Sequence, residues 1–310
     1  MENHNWNGKR YNSLNYYLRQ RFGGKVFKVA LDAGFTCPNR DGTYSREGCL
    51  FCGARGSGDF AGDRECGIRE QFEQVKAMMH RKWQARKYIA YFQAFTNTYA
   101  TVDRLRQLYE EALRQEGVVG IAVATRPDCL PPEVLDLLSE ISRQTYLWVE
   151  LGLQSIHHKT SKLLNLHYNF DTFTNALKQL QAREIECCAH IILGLPGENH
   201  DEMLATGKEL AALPVQGIKI HALHLMQGTP LLKLFQNHKF ELLDRDQYVS
   251  LVVNILEMIS PQVAVHRLTG DSPRALLVEP RWTLNKWEIL NQIDRELTER
   301  DTWQGKLYSK

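Results

Sequence analysis

The sequence predicts an α/β fold: a partial (βα)6 TIM-type barrel with a C-terminal α/β extension. Three observations carry that expectation. Six short apolar, β-branched runs recur along the chain, at residues 26–33, 88–95, 118–124, 146–153, 187–193 and 217–225. Between them lie segments with helical periodicity, at residues 68–86, 101–116, 132–143, 170–183 and 200–213. Runs of strand length that alternate with amphipathic helices imply repeated βα units and a parallel sheet covered on both faces. Finally, a cysteine, Cys37, falls just after the first run, and parallel barrels gather their reactive groups at the C-terminal ends of strands.

Taken in order, residues 1–24 form a basic, aromatic segment of helical character, residues 25–240 the barrel, and residues 241–310 the extension. Pro132 and Asp171 suit the first turns of their helices. Six strands make an open or partial barrel rather than a closed ring of eight. The extension reads as a helix over 242–259, a short strand over 262–267 and a helix over 284–300, elements that extend or cap the barrel. No repeat, low-complexity tract or long linker interrupts the chain.

Composition narrows the class. With 43% hydrophobic and 24% charged residues and a net charge of +2, this is an ordinary globular chain. No apolar run approaches the roughly 20 residues of a membrane span, so no membrane partner is expected. The first residues lack the apolar core of a secretory signal, and a cytoplasmic setting follows as the expectation. Seven cysteines, an odd and scattered set over 310 residues, make no disulfide framework. Charge is uneven: residues 1–30 carry Lys9, Arg10, Arg19, Arg21, Lys25 and Lys28 against Glu2 alone, a net +5. Trp6, Tyr11, Tyr16, Tyr17 and Phe22 are interleaved with them. Cations for phosphates and aromatic faces for bases would suit RNA. An amphipathic helix whose aromatics face a core is the favoured alternative.

The most informative stretch is Cys37-x11-Cys49-x2-Cys52. Three thiolates on one loop can hold three irons of a 4Fe–4S cluster and leave the fourth open to a small molecule, whereas a cluster that only carries electrons uses four cysteines. Zinc is the competing reading. A structural zinc site takes four ligands, and Cys66 could supply the fourth, giving a zinc-stabilised RNA-binding module. Gly53, Gly56, Gly58 and Gly62 follow the last cysteine and allow close backbone approach to a ligand. Cys129, Cys187 and Cys188 read as packing residues, the last two on opposite faces of one strand.

The cysteine loop, with its flanks 25–43 and 51–60, resembles the radical S-adenosylmethionine superfamily, and within it the YtqA/YhcC group of the elongator-catalytic-subunit-like branch. The likeness runs from about Trp6 to the C-terminal region. It implies an enzyme whose 4Fe–4S cluster, on Cys37, Cys49 and Cys52, cleaves S-adenosyl-L-methionine reductively to a 5′-deoxyadenosyl radical that abstracts hydrogen from a substrate. It implies cofactor contacts at Thr96 (the amino group), Gln154 and His190 (the ribose), and the backbone of Ala222 and Leu223 (adenine). Relatives have Glu where this chain has Ala124, and Asp where it has His190. The arginine that often binds the methionine carboxylate is absent near Leu166, with Lys162, His167 or Arg126 as replacements. An electron donor such as flavodoxin or ferredoxin is implied, and tRNA, at a wobble uridine, is the implied substrate; a small molecule or a protein is the alternative. Glu150 and Gln154, at i and i+4 of one strand, face the same side; a carboxylate among apolar neighbours needs partners, and the cofactor was the expected source. His221, His224 and the run 266–271 are further polar groups near the barrel mouth.

Overall fold

The computed structural model describes residues 5–81, 86–238 and 240–309. In chain order the elements are α1 (Leu14–Phe22), β1 (Val26–Leu31), α2 (Ile68–His80), β2 (Lys87–Phe92), α3 (Val102–Leu113), β3 (Val118–Thr125), α4 (Pro132–Ser142), β4 (Tyr146–Gln154), α5 (His158–Leu163), α6 (Phe170–Gln181), β5 (Glu186–Leu193), α7 (His200–Ala212), β6 (Gly217–Ala222), β7 (Leu225–Met226), α8 (Pro230–Asn237), α9 (Arg245–Met258), β8 (Ala264–Arg267), β9 (Leu277–Glu279) and α10 (Lys286–Glu299). The part of the second expected helix at residues 82–85 lies outside the described residues, as do Met1–His4.

The main sheet is a curled half-barrel of seven parallel strands in the order β1-β2-β3-β4-β5-β6-β8. The six expected strands are its first six. The short strand of the extension is the seventh, hydrogen-bonded to β6 from Gly217↔Ala264 to Lys219↔Arg267. Four residues carry too little periodicity to announce sheet membership. A separate antiparallel pair, β7 and β9, crosses the mouth.

Alternate side chains explain why the strands read as unbroken apolar runs. Val29, Leu31, Ala90, Phe92, Ile121, Val123, Val149, Leu151, Ala189, Ile191, Ile218 and Ile220 face the helices in the main core. The opposite parity faces the lumen. At its N-terminal end Val26, Ile89, Ala122, Tyr146 and Trp148 meet Leu14 and Leu18 of α1. Helix starts are chemically defined: Ser13, Asn169, Asn199 and Asp244 each accept a backbone N–H of the first turn.

Helix α1 closes the gap between the two sheet edges. It contacts β1 on one side and β8 on the other, and the chain just before it pairs with β8 through Ser13↔Val265, with Val265 N–H donating to Asn12 at 2.7 Å. Arg21 of this helix, and Lys9 and Arg10 before it, have internal partners, while Arg19 is exposed and bonds Asn15 at 3.4 Å. Arg21 lies over the Tyr146 ring at 4.0 Å and pairs with Glu186 at 3.4 Å. Arg10 bonds Asp301 and the Thr302 carbonyl, and Lys9 pairs with Asp294. Segment 5–24 is therefore a barrel-closing element, the alternative favoured from its aromatic spacing.

Candidate active site

The loop after β1 begins under a clamp. Gln71 of α2 accepts the Asp32 N–H at 2.9 Å and donates to the carbonyls of Asp32 (2.8 Å) and Cys66 (2.9 Å). Its far side is fixed by Arg40, which donates to the carbonyls of Cys52 (2.6 Å) and Gly53 (2.9 Å), drawing Cys37 and Cys52 to one place. Asn39 donates to the Cys49 sulfur at 3.4 Å and to the Asn165 carbonyl at 2.6 Å, and Asn165 answers with a bond to the Gly48 carbonyl at 2.9 Å. The cysteine loop is thus fastened to the segment after β4.

All three cysteines are half-buried residues, yet the thiols of Cys49 and Cys52 are held protonated. Burial, and then the neighbouring Cys52, pushes the Cys49 thiol up to about 12; burial raises Cys52 as well, against the pull of Arg40. Arg126 opposes the trend at Cys49, with Nη1 3.9 Å from the sulfur. Thiols in such a place become thiolates when a cationic group binds them. That donor set fits an iron–sulfur cluster.

It does not fit tetrahedral zinc. Zn–S bonds of about 2.3 Å require sulfurs about 3.8 Å apart. No three of Cys37, Cys49, Cys52 and Cys66 bring their sulfurs within 4.8 Å of one another. Cys66 stands apart, beside Gln74 at 3.9 Å and Glu70. The zinc-module alternative is corrected on this geometry.

Around this loop the ends of β2, β4, β5 and β6 form a chamber. Thr96 is buried; its N–H donates to the Thr36 carbonyl at 3.2 Å, next in sequence to Cys37, and its own carbonyl accepts from Tyr99 at 3.1 Å. Phe95 before it has φ +60°, and its ring fills the space beside Gly56, where a Cβ would come within 2.4 Å of it. Gln154 also has positive φ, +64°, at a register shift that ends β4. Left-handed backbone at two bulky strand ends marks a constrained site. The Gln154 amide folds over Gly152, whose missing Cβ would meet its Nε2 at 2.5 Å, and its Oε1 is buried with no partner.

His190 projects into the lumen and packs against His221, with ring centroids 4.2 Å apart and the rings tilted by 57°. Burial first, then the Lys219 charge, holds His190 neutral, near 3; burial likewise drives His221 well down and His224 to about 4. The Nε2 atoms of all three are buried without partners. Ala222 turns its methyl to the helix-side core, and the Leu223 N–H is taken by the Leu193 carbonyl at 2.9 Å. The Leu223 side chain joins Leu164, Leu166, Ile192 and Cys49 in an apolar cluster at the mouth.

Two expectations about charge are corrected. Arg126 is not free for a ligand's carboxylate: it is paired with Asp128 (2.9 and 2.7 Å) and donates to the Leu166 carbonyl at 2.7 Å. Glu150 does not wait for a cofactor. Its carboxylate accepts from Tyr91 (2.6 Å), Trp148 Nε1 (3.1 Å) and the Lys219 ammonium, with Lys28 and His266 each 3.8 Å away. Sequence reading counted Lys28 only among the N-terminal cations and passed over Lys219. The available signal was one lysine in each of two otherwise apolar strands, at lumen parity.

Fold and site together define an enzyme of the radical S-adenosylmethionine type, and the chain belongs to that superfamily. Residues 37–210 match the radical SAM superfamily model and residues 215–299 the radical SAM C-terminal domain model. More particularly it belongs with the YtqA/YhcC group. It is 53% identical to YtqA of Bacillus subtilis over 97% of this chain and 94% of that protein. To YhcC of Escherichia coli K12 it is 38% identical over 91% of this chain and 90% of that protein. Among solved structures, an N-terminally truncated archaeal Elp3 from Methanocaldococcus infernus shares the fold with a TM-score of 0.63 at 16% identity, covering 86% of this chain and 63% of that one. The family implies a 4Fe–4S cluster and S-adenosylmethionine. No helix among the described residues is long and apolar enough to cross a membrane.

Proposed function

We propose that Cys37, Cys49 and Cys52 hold a 4Fe–4S cluster with one iron open, and that the chamber beside it binds S-adenosylmethionine. The carrying observation is the meeting of three cysteines on one loop, the thiols of Cys49 and Cys52 pushed up by burial, with unpartnered buried polar atoms of Gln154 and His190 on the neighbouring strands. When both groups are bound and an electron donor such as flavodoxin or ferredoxin reduces the cluster, they supply a 5′-deoxyadenosyl radical for hydrogen abstraction. Asn39 and Arg126 aim N–H groups at the Cys49 sulfur and counter its negative charge. Arg40 fixes the loop on which Cys52 sits. The Gln154 amide and the neutral His190 imidazole are placed to bond ribose hydroxyls, since each offers both donor and acceptor. Thr96, Ala222 and Leu223 line the remaining edge, where backbone groups would meet the amino group and adenine. The leucines of the mouth exclude water from the chamber.

The resemblance to elongator catalytic subunits supports a tRNA base, at a wobble uridine, as substrate. The basic N-terminal segment lends this little weight, because Arg10 and Arg21 are paired with Asp301 and Glu186 and only Arg19 of the three arginines is exposed without a carboxylate among the described residues. Anaerobically reconstituted protein should be brown and, once reduced with dithionite, release 5′-deoxyadenosine. Failure of that release, with or without added substrate, would sink the radical reading. The substrate is tested separately: added tRNA should stimulate the release, and tRNA from a deletion strain should lack a modified nucleoside. If neither is seen, the substrate is a small molecule or a protein.

A further inference from the structure

Beneath the chamber the lumen has a charged floor made of Lys28 (β1), Tyr91 (β2), Glu150 (β4), Cys188 (β5), Lys219 (β6) and His266 (β8). Two ammonium groups share one carboxylate. Lys219 has taken it, with a second bond to Tyr91 OH at 3.0 Å. Lys28 is left with Glu150 at 3.8 Å, beyond hydrogen-bonding distance, and with the Tyr91 ring at 4.7 Å. Among the described residues its three donors make no hydrogen bond. Yet its side chain is 21% exposed, against 4% for Glu150, so it borders open space rather than packed protein.

That space is left by small side chains. Ala30 and Ala124 face the lumen from β1 and β3, and both are half-buried, while the place over Gly152 of β4 is taken by the Gln154 amide. His190 and His221 border it on the opposite wall. It ends below on Trp148, 1% exposed, with Tyr146 and helix α1 beneath. The remaining cation, Arg267, is paired with Asp271 at 3.2 Å. The chamber is therefore blind, polar on one wall and one negative charge short.

We infer that this floor receives a terminal carboxylate of the substrate, with the Lys28 ammonium as its contact. A single negative charge matches the surplus cation. A phosphodiester, which also carries one, sits within a chain and needs two exits, and the blind floor gives one. The inference rests on the radical SAM reading for its substrate, but not for its test, and it favours the small-molecule or protein alternative, since an unmodified uridine carries no carboxylate. It is supported by the state of Lys28 without an anion: burial first, then the Lys219 charge, lowers its ammonium from 10.5 to about 7, with Glu150 pulling the other way and His266 held neutral. A bound carboxylate would restore the charge.

The test uses holoenzyme labelled with carbon-13 at the lysine ε-carbons, titrated at constant ionic strength with acetate or with the dinucleotide uridylyl-3′,5′-uridine, whose phosphodiester is flanked by chain on both sides. Acetate should shift the Lys28 resonance saturably and raise its titration midpoint by at least one pH unit; the dinucleotide should not. In Lys28→Met, followed through the Lys219 resonance, acetate affinity should fall at least tenfold, and Lys28→Arg should restore most of it. No saturable acetate response, an equal response to the dinucleotide, or undiminished acetate affinity in Lys28→Met would each overturn the proposal. None of these outcomes bears on 5′-deoxyadenosine release by the wild-type enzyme, so the two readings fail separately.

Discussion

Two glutamates project into the same lumen from neighbouring strands, and they are treated in opposite ways. Glu186 stands at the N-terminal mouth with its side chain 24% exposed, held by Tyr146 at 2.6 Å, Tyr17 at 3.2 Å and Arg21 at 3.4 Å. One carboxylate meets one cation, and phenols complete the shell. Glu150, higher in the barrel, is nearly sealed and faces two ammonium groups. A balanced, half-wet pair closes a structure. A sealed pair with a spare cation costs stability unless something else binds it. The lower ring therefore serves the fold, and the upper ring the ligand.

Predictions that test this contrast fall in order of size. The largest concerns the region that neither glutamate touches: Cys37→Ala, Cys49→Ala or Cys52→Ala should each abolish iron binding, and Cys66→Ala should leave it intact, as read by iron content and visible absorbance. Next, Glu150→Gln should destabilise the protein by about 3–5 kcal/mol, because it strands the buried Lys219 ammonium without its anion. Arg21→Gln, on the exposed pair, should cost about 1 kcal/mol or less. Equal losses in chemical denaturation would erase the distinction between the rings.

Between those extremes lies the pH test of Lys28. Its folded value, about 7, is below its ordinary 10.5, so the folded state binds fewer protons within that window. Stability then rises with pH from about 7 to about 10.5, and the penalty is complete below 7. Lys28→Met should exceed wild type in stability most at pH 6 and lose that advantage as pH approaches 10.5. A difference that is flat with pH would place Lys28 in an ordinary solvated state. The smallest effect belongs to Gln154→Ala, which should weaken S-adenosylmethionine binding about fivefold to tenfold, the worth of one hydrogen bond, with iron content unchanged.

Much of this was legible in the sequence where chemistry restricts residue type. Cys37, Cys49 and Cys52 stand out because few side chains bind iron. The βα rhythm stands out because both faces of each strand are covered. Arg10 and Arg21 were ambiguous for a physical reason: a basic, aromatic helix looks the same whether its cations meet phosphates or the chain's own carboxylates, and Glu186 and Asp301 are far away in sequence. Lys28 read only as one more N-terminal cation, and Lys219 escaped notice, because a lone lysine in a strand is ordinary. Only the curl of the sheet, which sets both against Glu150, gives them a role.

The closing of the barrel by residues 12–13 has a consequence for how the protein is made. Asn12 N–H bonds to Gln304 Oε1, 292 positions along the chain, and Gln304 in turn holds the carbonyls of Ser260 and Val263. The earliest described segment to leave the ribosome thus has no seat until almost the whole sequence has followed. Contacts of such separation form late, because the intervening loop must be closed first. Until then the seam between β1 and β8 stays ajar, and the nascent lumen is open at its side when its cysteines are first presented.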